Sequence, residues 1–142
     1  MKKILLIMIG VSFLYGADIF VNKKSGLMWQ DNSVVKEEKR VWSEKGFFSS
    51  KGAIEYCKDL ELEGYDDWRL PTIKELQSIV DITKYNPAIK DGFKNVASLN
   101  YWSSSEDVSR SSRAWGVYFG YGSTYNYGKT NEYYVRCVRG RQ

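Results

Sequence analysis

The pair of cysteines constrains the fold of this chain more than any other feature. The sequence contains two, Cys57 and Cys137, and a bond between them would tie the middle of the chain to its end. Loop entropy for a span of about 80 residues predicts about 4–5 kcal/mol of stabilisation, an upper figure that strain would reduce. Two free buried thiols are the alternative. A zinc site is not expected, because two cysteines without any histidine offer too few ligands.

Residues 1–16 have the pattern of a signal peptide. Lys2 and Lys3 form a positive segment, residues 4–14 are an apolar run, and Gly16-Ala17 supplies the small residues for cleavage. The apolar run is short for a transmembrane span, so we predict no stable membrane span after cleavage; an uncleaved anchor is the alternative. We therefore expect a periplasmic protein, or one that is secreted to the cell surface. Such an oxidising compartment favours the disulfide over the free thiols.

Charge and composition exclude several classes of function. The formal net charge is +4, and removal of Lys2 and Lys3 lowers it to +2 (+4 − 2), so no basic excess points to a nucleic acid partner. Histidine is absent, which removes the commonest general base and the commonest metal ligand. The adjacent acids Asp66-Asp67 and Glu106-Asp107 are typical of turns rather than of a glycosidase. We therefore predict a protein that is not an enzyme and needs no cofactor or metal.

Residues 64–72 are predicted to join two helices. Gly64 is expected to end the first helix, because the residue that follows a helix often needs positive φ. Thr72 and Glu75 have the spacing of a capping box at the start of the second helix. For Arg69, a structural role is favoured over contact with a ligand.

Apolar spacing places the two helices at residues 51–63 and 73–81. Cys57 lies on the apolar stripe of the first helix and therefore faces the core. Trp68 is expected to pack the joint against the core, and Trp42 is expected to reach the core from a loop.

Alternating apolar residues and turn signals predict the strands. Residues 19–22 and 27–30 are expected to form an N-terminal hairpin, with Gly26 at the turn. The later strands are expected at residues 100–105, 113–121 and 132–140, with loops at 32–45, 81–99 and 122–131.

The last two predicted strands carry specific expectations about side-chain direction. Ala114 and Gly116 are small and share one face of their strand, which predicts the close approach of another element. In the final strand, Tyr133, Val135 and Cys137 are expected to share the inward face, with Arg136 facing outward. The order of elements predicts an α+β fold, with two helices packed on a small antiparallel sheet, long loops and one disulfide.

Five segments of the chain together carry a family resemblance. They are Gly26-Leu27-Met28-Trp29-Gln30, Ala53-Ile54-Glu55-Tyr56-Cys57, Asp67-Trp68-Arg69-Leu70-Pro71-Thr72, Tyr101-Trp102-Ser103-Ser104 and Tyr134-Val135-Arg136-Cys137-Val138-Arg139-Gly140. In these segments the chain resembles the C-terminal domain family of the Legionella collagen-like protein, a domain of unknown function. The resemblance implies a single C-type-lectin-like domain over residues 17–142, with a disulfide from the first helix to the last strand. It also implies binding to sulfated polysaccharides, although the calcium-site motifs of animal lectins are absent.

The candidate binding residues are tyrosines and arginines of the C-terminal third. Tyrosine beside serine, glycine and asparagine is the composition of adaptable binding loops. The arginines are expected near one end of the sheet, where they would attract sulfate or phosphate groups. The candidates are Tyr118, Tyr121, Tyr125, Tyr127, Arg113 and Arg139, with Arg110, Arg136 and Arg141 in support. The alternative is that these tyrosines lie on a strand turn without binding a ligand and that the arginines are solvated.

Two functions fit these observations. The first is an exported, non-catalytic module that binds a polyanionic or surface glycan, with a sulfated or other anionic polysaccharide as the partner. The second is a periplasmic or envelope module that contacts a protein or has a structural role, without a glycan ligand. Salt would distinguish them, because binding to a polyanion weakens steeply as ionic strength rises.

Overall fold

The computed structural model of the chain describes residues 18–43 and 51–140. The predicted signal peptide, the end of the first predicted loop and Arg141 lie outside the described residues. Among the residues that are described, no helix is long and apolar enough to cross a membrane. These residues form strands and two α-helices, so the predicted α+β class is confirmed.

The elements follow one another as a hairpin, two helices and a group of strands. The strands are β1 (Ile19–Asn22), β2 (Leu27–Gln30), β3 (Lys39–Arg40), β4 (Asn100–Glu106), β5 (Arg113–Tyr118), β6 (Ser123–Gly128), β7 (Tyr133–Tyr134) and β8 (Val138–Arg139), and the helices are α1 (Ala53–Asp59) and α2 (Ile73–Ser78). A short 3-10 helix, Ser33–Lys36, interrupts the first predicted loop. The strands form two sheets, one ordered β1-β2-β8 and the other β3-β7-β4-β5-β6. Every strand pair is antiparallel except β4 with β7.

The hairpin and the start of α2 follow from local rules. Gly26 has a φ of +75°, which a residue without a Cβ adopts at little cost. Thr72 Oγ1 accepts a hydrogen bond from the Glu75 N–H at 3.2 Å, and Glu75 Oε1 accepts one from the Thr72 N–H at 2.9 Å. The predicted hairpin and capping box are therefore both confirmed. The structural role of Arg69 is confirmed as well, since it donates to both carboxylate oxygens of Glu75 at 2.7 and 2.8 Å.

Helix α1 is shorter than predicted. It ends where Leu60 takes an extended conformation, with a ψ of 129°. Gly64 does not end the helix, because Glu63 and Gly64, with φ of 54° and 79°, form the centre of a separate tight turn. Two backbone hydrogen bonds of 3.0 Å between Leu62 and Tyr65 close this turn.

Three predictions about the C-terminal third are wrong. The predicted loop 122–131 contains β6, whose pairing with β5 outweighs the weak strand propensity of glycine, serine and asparagine. The predicted strand 132–140 is split into β7 and β8, which belong to different sheets. Arg136 lies between them and is buried rather than outward-facing, because Val135, Arg136 and Cys137 are all enclosed by the core.

The core consists of two clusters of buried side chains. The first lies under α2 and is built on Trp29, Leu76, Tyr101 and Phe119. The second contains the Cys57–Cys137 disulfide, with the two Cα atoms 5.4 Å apart, together with Trp42, Trp68 and Trp102. The predicted disulfide and the predicted burial of Trp42 and Trp68 are confirmed.

A buried arginine connects both sheets to the long loop before β4. Arg136 Nη1 donates to Gln30 O at 2.6 Å and to Asp31 Oδ1 at 3.1 Å, and Nη2 donates to Asn95 O. Asp31 in turn accepts hydrogen bonds from the backbone N–H groups of Lys94 and Asn95, at 2.8 and 3.0 Å. The side chains of the ion pair are 0% and 1% exposed, so each depends on the other for compensation of its charge.

We predict that Asp31→Ala lowers the free energy of unfolding by about 3–5 kcal/mol, because it leaves the buried charge of Arg136 without its partner. Urea unfolding followed by tryptophan fluorescence measures this loss. The double variant Asp31→Ala/Arg136→Met should recover part of it, since the unpaired charge is gone. The control is Glu38→Ala, which breaks an exposed pair with Arg40 and should cost about 1 kcal/mol or less. Equal, small losses from Asp31→Ala and Glu38→Ala would contradict the buried ion pair.

Candidate binding surface

Tyrosines from β5, β6, β7 and the β5–β6 turn form one surface. Tyr118 lies diagonally across from Tyr125, because the β5 partner of Tyr125 is two positions from Tyr118. The ring centroids of Tyr118 and Tyr121 are 5.7 Å apart, those of Tyr125 and Tyr127 6.1 Å, and those of Tyr127 and Tyr133 4.6 Å. We call these five residues the tyrosine surface. The structure thus brings together all four predicted tyrosines.

The outer members of the tyrosine surface are open to solvent. Tyr121 is 65% exposed and Tyr125 is 50% exposed. Tyr118, Tyr127 and Tyr133 are half-buried between them and the rest of the domain. An incoming ligand would therefore meet Tyr121 and Tyr125 first.

Gly116 and Trp102 support the surface from below. A Cβ at Gly116 would clash with a backbone carbonyl oxygen of β4 and lie 3.0 Å from the Tyr127 ring, which confirms the predicted close approach. Trp102 is fully buried, and its ring centroid is 6.0 Å from that of Tyr127 and 5.0 Å from that of Tyr133. The Trp102 indole N–H donates to Arg40 O at 2.8 Å, which fixes the orientation of this support.

Tyr127 is the centre of the surface and is held neutral. Its hydroxyl donates to Asn100 Oδ1 at 2.6 Å. Burial, and after it the nearby hydroxyls of Tyr133, Tyr125 and Tyr118, raise the pKa of Tyr127 well above its ordinary value of 10.0. The Tyr127 hydroxyl therefore keeps its proton at physiological pH.

Arg113 lies away from this patch. Strand alternation puts it on the opposite face of β5 from Tyr118. Its guanidinium donates from Nε to Asn126 Oδ1 at 3.1 Å and from Nη2 to Asn126 O at 2.8 Å. Two of its donors are thus already bound within the chain.

Arg139 belongs to β8, in the other sheet. It donates to both carboxylate oxygens of Asp67, at 2.5 and 3.0 Å, and its guanidinium carbon is 3.7 Å from the centroid of the Tyr65 ring. The hydrogen bond from Arg139 lowers the pKa of Asp67, and the same bond raises the pKa of Arg139. With Arg136 buried in the core, Arg113, Arg136 and Arg139 occupy three separate environments.

Two open concavities lie at the joint between the helices. One has a volume of about 270 Å³, and its lining includes Ile54, Lys58 and Trp68. Another, of about 420 Å³, is formed by the turn at residues 61–66 alone. Within residues 18–43 and 51–140, no group of three or more Cys, Asp or Glu side chains is placed to hold a metal ion.

Tyr133 is a member of the surface that the sequence did not predict. Its alternation with Val135 and Cys137 indicated an inward side chain in one long strand. The position of Tyr133 depends instead on β7 lying beside β4, through the parallel pairing of Tyr101 with Tyr134. No local pattern in the sequence signals that pairing.

Buried tyrosines predict a loss of stability at alkaline pH. Burial raises the pKa of Tyr56, Tyr101 and Tyr127 above 10.0. Because these hydroxyls hold their protons more tightly in the folded chain, their stabilisation is complete below the unfolded pKa and is lost as pH rises towards the folded pKa. We expect the free energy of unfolding to fall above about pH 10, as measured by urea unfolding across a pH series.

The variant Tyr127→Phe tests the source of this fall. Phenylalanine has no proton to lose, so the decline above pH 10 should be shallower than in the wild type. Identical declines in the two proteins would contradict the assignment to Tyr127.

The chain matches one family model over residues 18–139, and the description of that family is the Lcl C-terminal domain. The matched range includes the disulfide, the joint between the helices and the whole tyrosine surface. No curated protein matches the chain significantly. The family suggests a non-catalytic extracellular domain. The chain thus belongs to the Lcl C-terminal domain family, that of the Legionella collagen-like protein, as its sequence motifs predicted.

Proposed function

We propose that this chain is an exported, non-catalytic module that binds a surface glycan through the tyrosine surface. The observation that carries the proposal is the grouping of tyrosine rings on one side of a sheet, with Tyr121 and Tyr125 accessible. Export is part of the proposal and rests on the signal-peptide pattern of residues 1–16. The location is then the periplasm or the cell surface.

A C-type-lectin-like fold is also part of the proposal. It comes from the family resemblance. The short helices, the long loop before β4 and the disulfide that joins α1 to the end of the chain support it. A rigid frame with a patch on one sheet suits a recognition domain, because binding residues work best on a fixed scaffold.

Tyrosine suits contact with sugars for physical reasons. The face of the ring carries negative potential and packs against the C–H groups of a sugar, while the hydroxyl donates or accepts at the edge. The side chain has two torsions, so little conformational entropy is lost on binding. The Tyr127 hydroxyl is already bound to Asn100. The hydroxyls of Tyr121 and Tyr125 make no hydrogen bond to another described residue, and these two side chains are exposed, so their hydroxyls are available to a ligand.

The charge distribution favours the sugar rings of a glycan over its anionic groups. An anion at Arg139 would compete with the carboxylate of Asp67, and bidentate pairs of this kind are strong. An anion at Arg113 would compete with Asn126. We therefore propose that a sulfated or other anionic polysaccharide would bind chiefly through its rings.

Contact with an envelope protein is the second candidate function. Ile82 and Tyr85 are 84% and 75% exposed in the loop before β4. The Asn86 N–H donates to Gly120 O at 2.8 Å, which places this loop beside the turn that carries Tyr121. Grouped exposed apolar side chains are typical of protein interaction sites.

We predict that Tyr121→Ala/Tyr125→Ala weakens retention of the purified chain on immobilised polysaccharides. The expected loss is about two- to tenfold per ring, since an aromatic contact contributes about 0.5–1.5 kcal/mol. The matched control is Tyr85→Ala, which removes a similarly exposed ring from the neighbouring loop and should bind like the wild type. Retention is measured on neutral and sulfated polysaccharides across a salt series, with circular dichroism to show that each variant is folded.

Retention that changes little with salt would support ring contacts. If retention of the wild type fell steeply with salt and retention of an Arg139→Ala variant did not, charge rather than ring contact would supply the affinity. No retention on any glycan would reject the glycan ligand. If Tyr85→Ala alone then abolished crosslinking to an envelope protein in cells, the second candidate function would replace the first.

A further inference from the structure

Strand β6 is the longest edge strand of the described structure. It pairs with β5 and with no other described strand, and it spans six residues. Of the other edge strands, β1 has four residues and β3 and β8 have two each, and β8 is also covered by a backbone bridge between Arg69 and Val138. The sequence of β6, Ser-Thr-Tyr-Asn-Tyr-Gly, contains no charge and no proline, the usual devices that protect an edge from pairing with another chain.

The outward-facing groups of β6 follow from its register with β5. The Lys129 N–H donates to Ser112 O at 2.9 Å, which fixes the positions at which the two strands exchange hydrogen bonds. Because these positions alternate in an antiparallel pair, the N–H and C=O groups of Thr124, Asn126 and Gly128 point away from β5. Gly128 O is satisfied locally, since it accepts from the Asn131 N–H at 3.0 Å.

One side chain covers the middle of this edge. Arg113 Nη2 donates to the outward-facing Asn126 O at 2.8 Å, and Arg113 Nε donates to Asn126 Oδ1 at 3.1 Å. Asn126 Nδ2 donates to Asp107 Oδ2 at 2.6 Å. Asp107 is itself held by the N–H and hydroxyl of Ser109, at 2.9 and 2.7 Å. The guanidinium therefore occupies the carbonyl that a pairing strand would need, and a fixed network keeps it there.

We infer that β6 is a pairing edge for a second copy of this chain and that Arg113 keeps it closed. An antiparallel pair related by a two-fold axis would place Asn126 against Asn126 of the second copy, and Thr124 against Gly128. The uncharged sequence of β6 gives no repulsion between the two copies. Tyr125 would lie opposite Tyr127 of the second copy, on one face of a continuous sheet. Arg113 acts against this arrangement in two ways, because it occupies Asn126 O and puts a positive charge at the two-fold axis.

The test is the mass in solution of variants that remove the guanidinium. Arg113→Ala and Arg113→Met, the second of which keeps an apolar stem, should both run at twice the monomer mass in size-exclusion chromatography with light scattering. The wild type should run as a monomer at the same concentration. The matched control is Arg110→Ala, which removes an exposed arginine from the segment just before β5 and should stay monomeric.

A proline on the edge shows whether β6 forms the contact. The Thr124 N–H points away from β5, so Thr124→Pro removes a donor from the edge without breaking the β5–β6 ladder. Added to Arg113→Ala, it should restore the monomer, and alone it should leave the chain folded and monomeric. A precipitate of Arg113→Ala that this proline returns to a soluble monomer also supports the inference.

Three results would overturn it. They are a monomeric Arg113→Met, a dimer that persists in Arg113→Ala/Thr124→Pro, and a wild type that already dimerises through β6. All three are read from mass, so they are independent of whether the tyrosine surface binds a glycan.

Discussion

The structure depends on the burial of one charged residue, Arg136. Its guanidinium carbon lies 4.8 Å from the ring centroid of Phe93 and 5.9 Å from that of Tyr101. Burial lowers the pKa of Arg136, while Tyr101 and Asp31 act in the opposite direction. Its Nε finds no partner among the described residues, so hydrogen bonding of the guanidinium is incomplete. A buried ion pair seldom adds net stability. We therefore attribute the role of Arg136 to the positions that it fixes, because the segment around Cys137 holds both sheets, the long loop and α1 together.

This frame explains how a small domain can present flat aromatic rings to solvent. β4 and β5 are held between the other strands, and the absence of a side chain at Gly116 lets the Tyr127 ring approach the backbone. Trp102 fills the space beneath the rings and is tied to Arg40 O. The supported rings would therefore lose little freedom on binding a ligand, and stacking on their faces is the mode of recognition that we propose. Of the arginines that the sequence marked as anion sites, Arg113, Arg136 and Arg139 are bound to other groups of the domain.

The sequence predicted those features that short-range chemistry determines. Gly26 marks its hairpin through positive φ, and Thr72 with Glu75 marks a capping box within four residues. The disulfide was predictable because the chain offers one pairing. The features it missed depend on long-range pairing. No residue pattern near β6 indicates that this segment pairs with β5. Alternation around Arg136 predicts an outward side chain, because the sequence does not show that the chain changes sheets there. Tyr133 was missed for the same reason.

The central claim is that the tyrosine surface, and not the arginines, contacts the ligand. An NMR titration of the purified chain with a neutral oligosaccharide tests it most directly, because tyrosine ring signals and arginine Nε–H signals are observed in one sample. We expect saturable shifts in the ring resonances of Tyr121 and Tyr125, while the Nε–H signals of Arg113 and Arg139 stay in place. Shifts at the arginines with unchanged tyrosine rings would contradict the account.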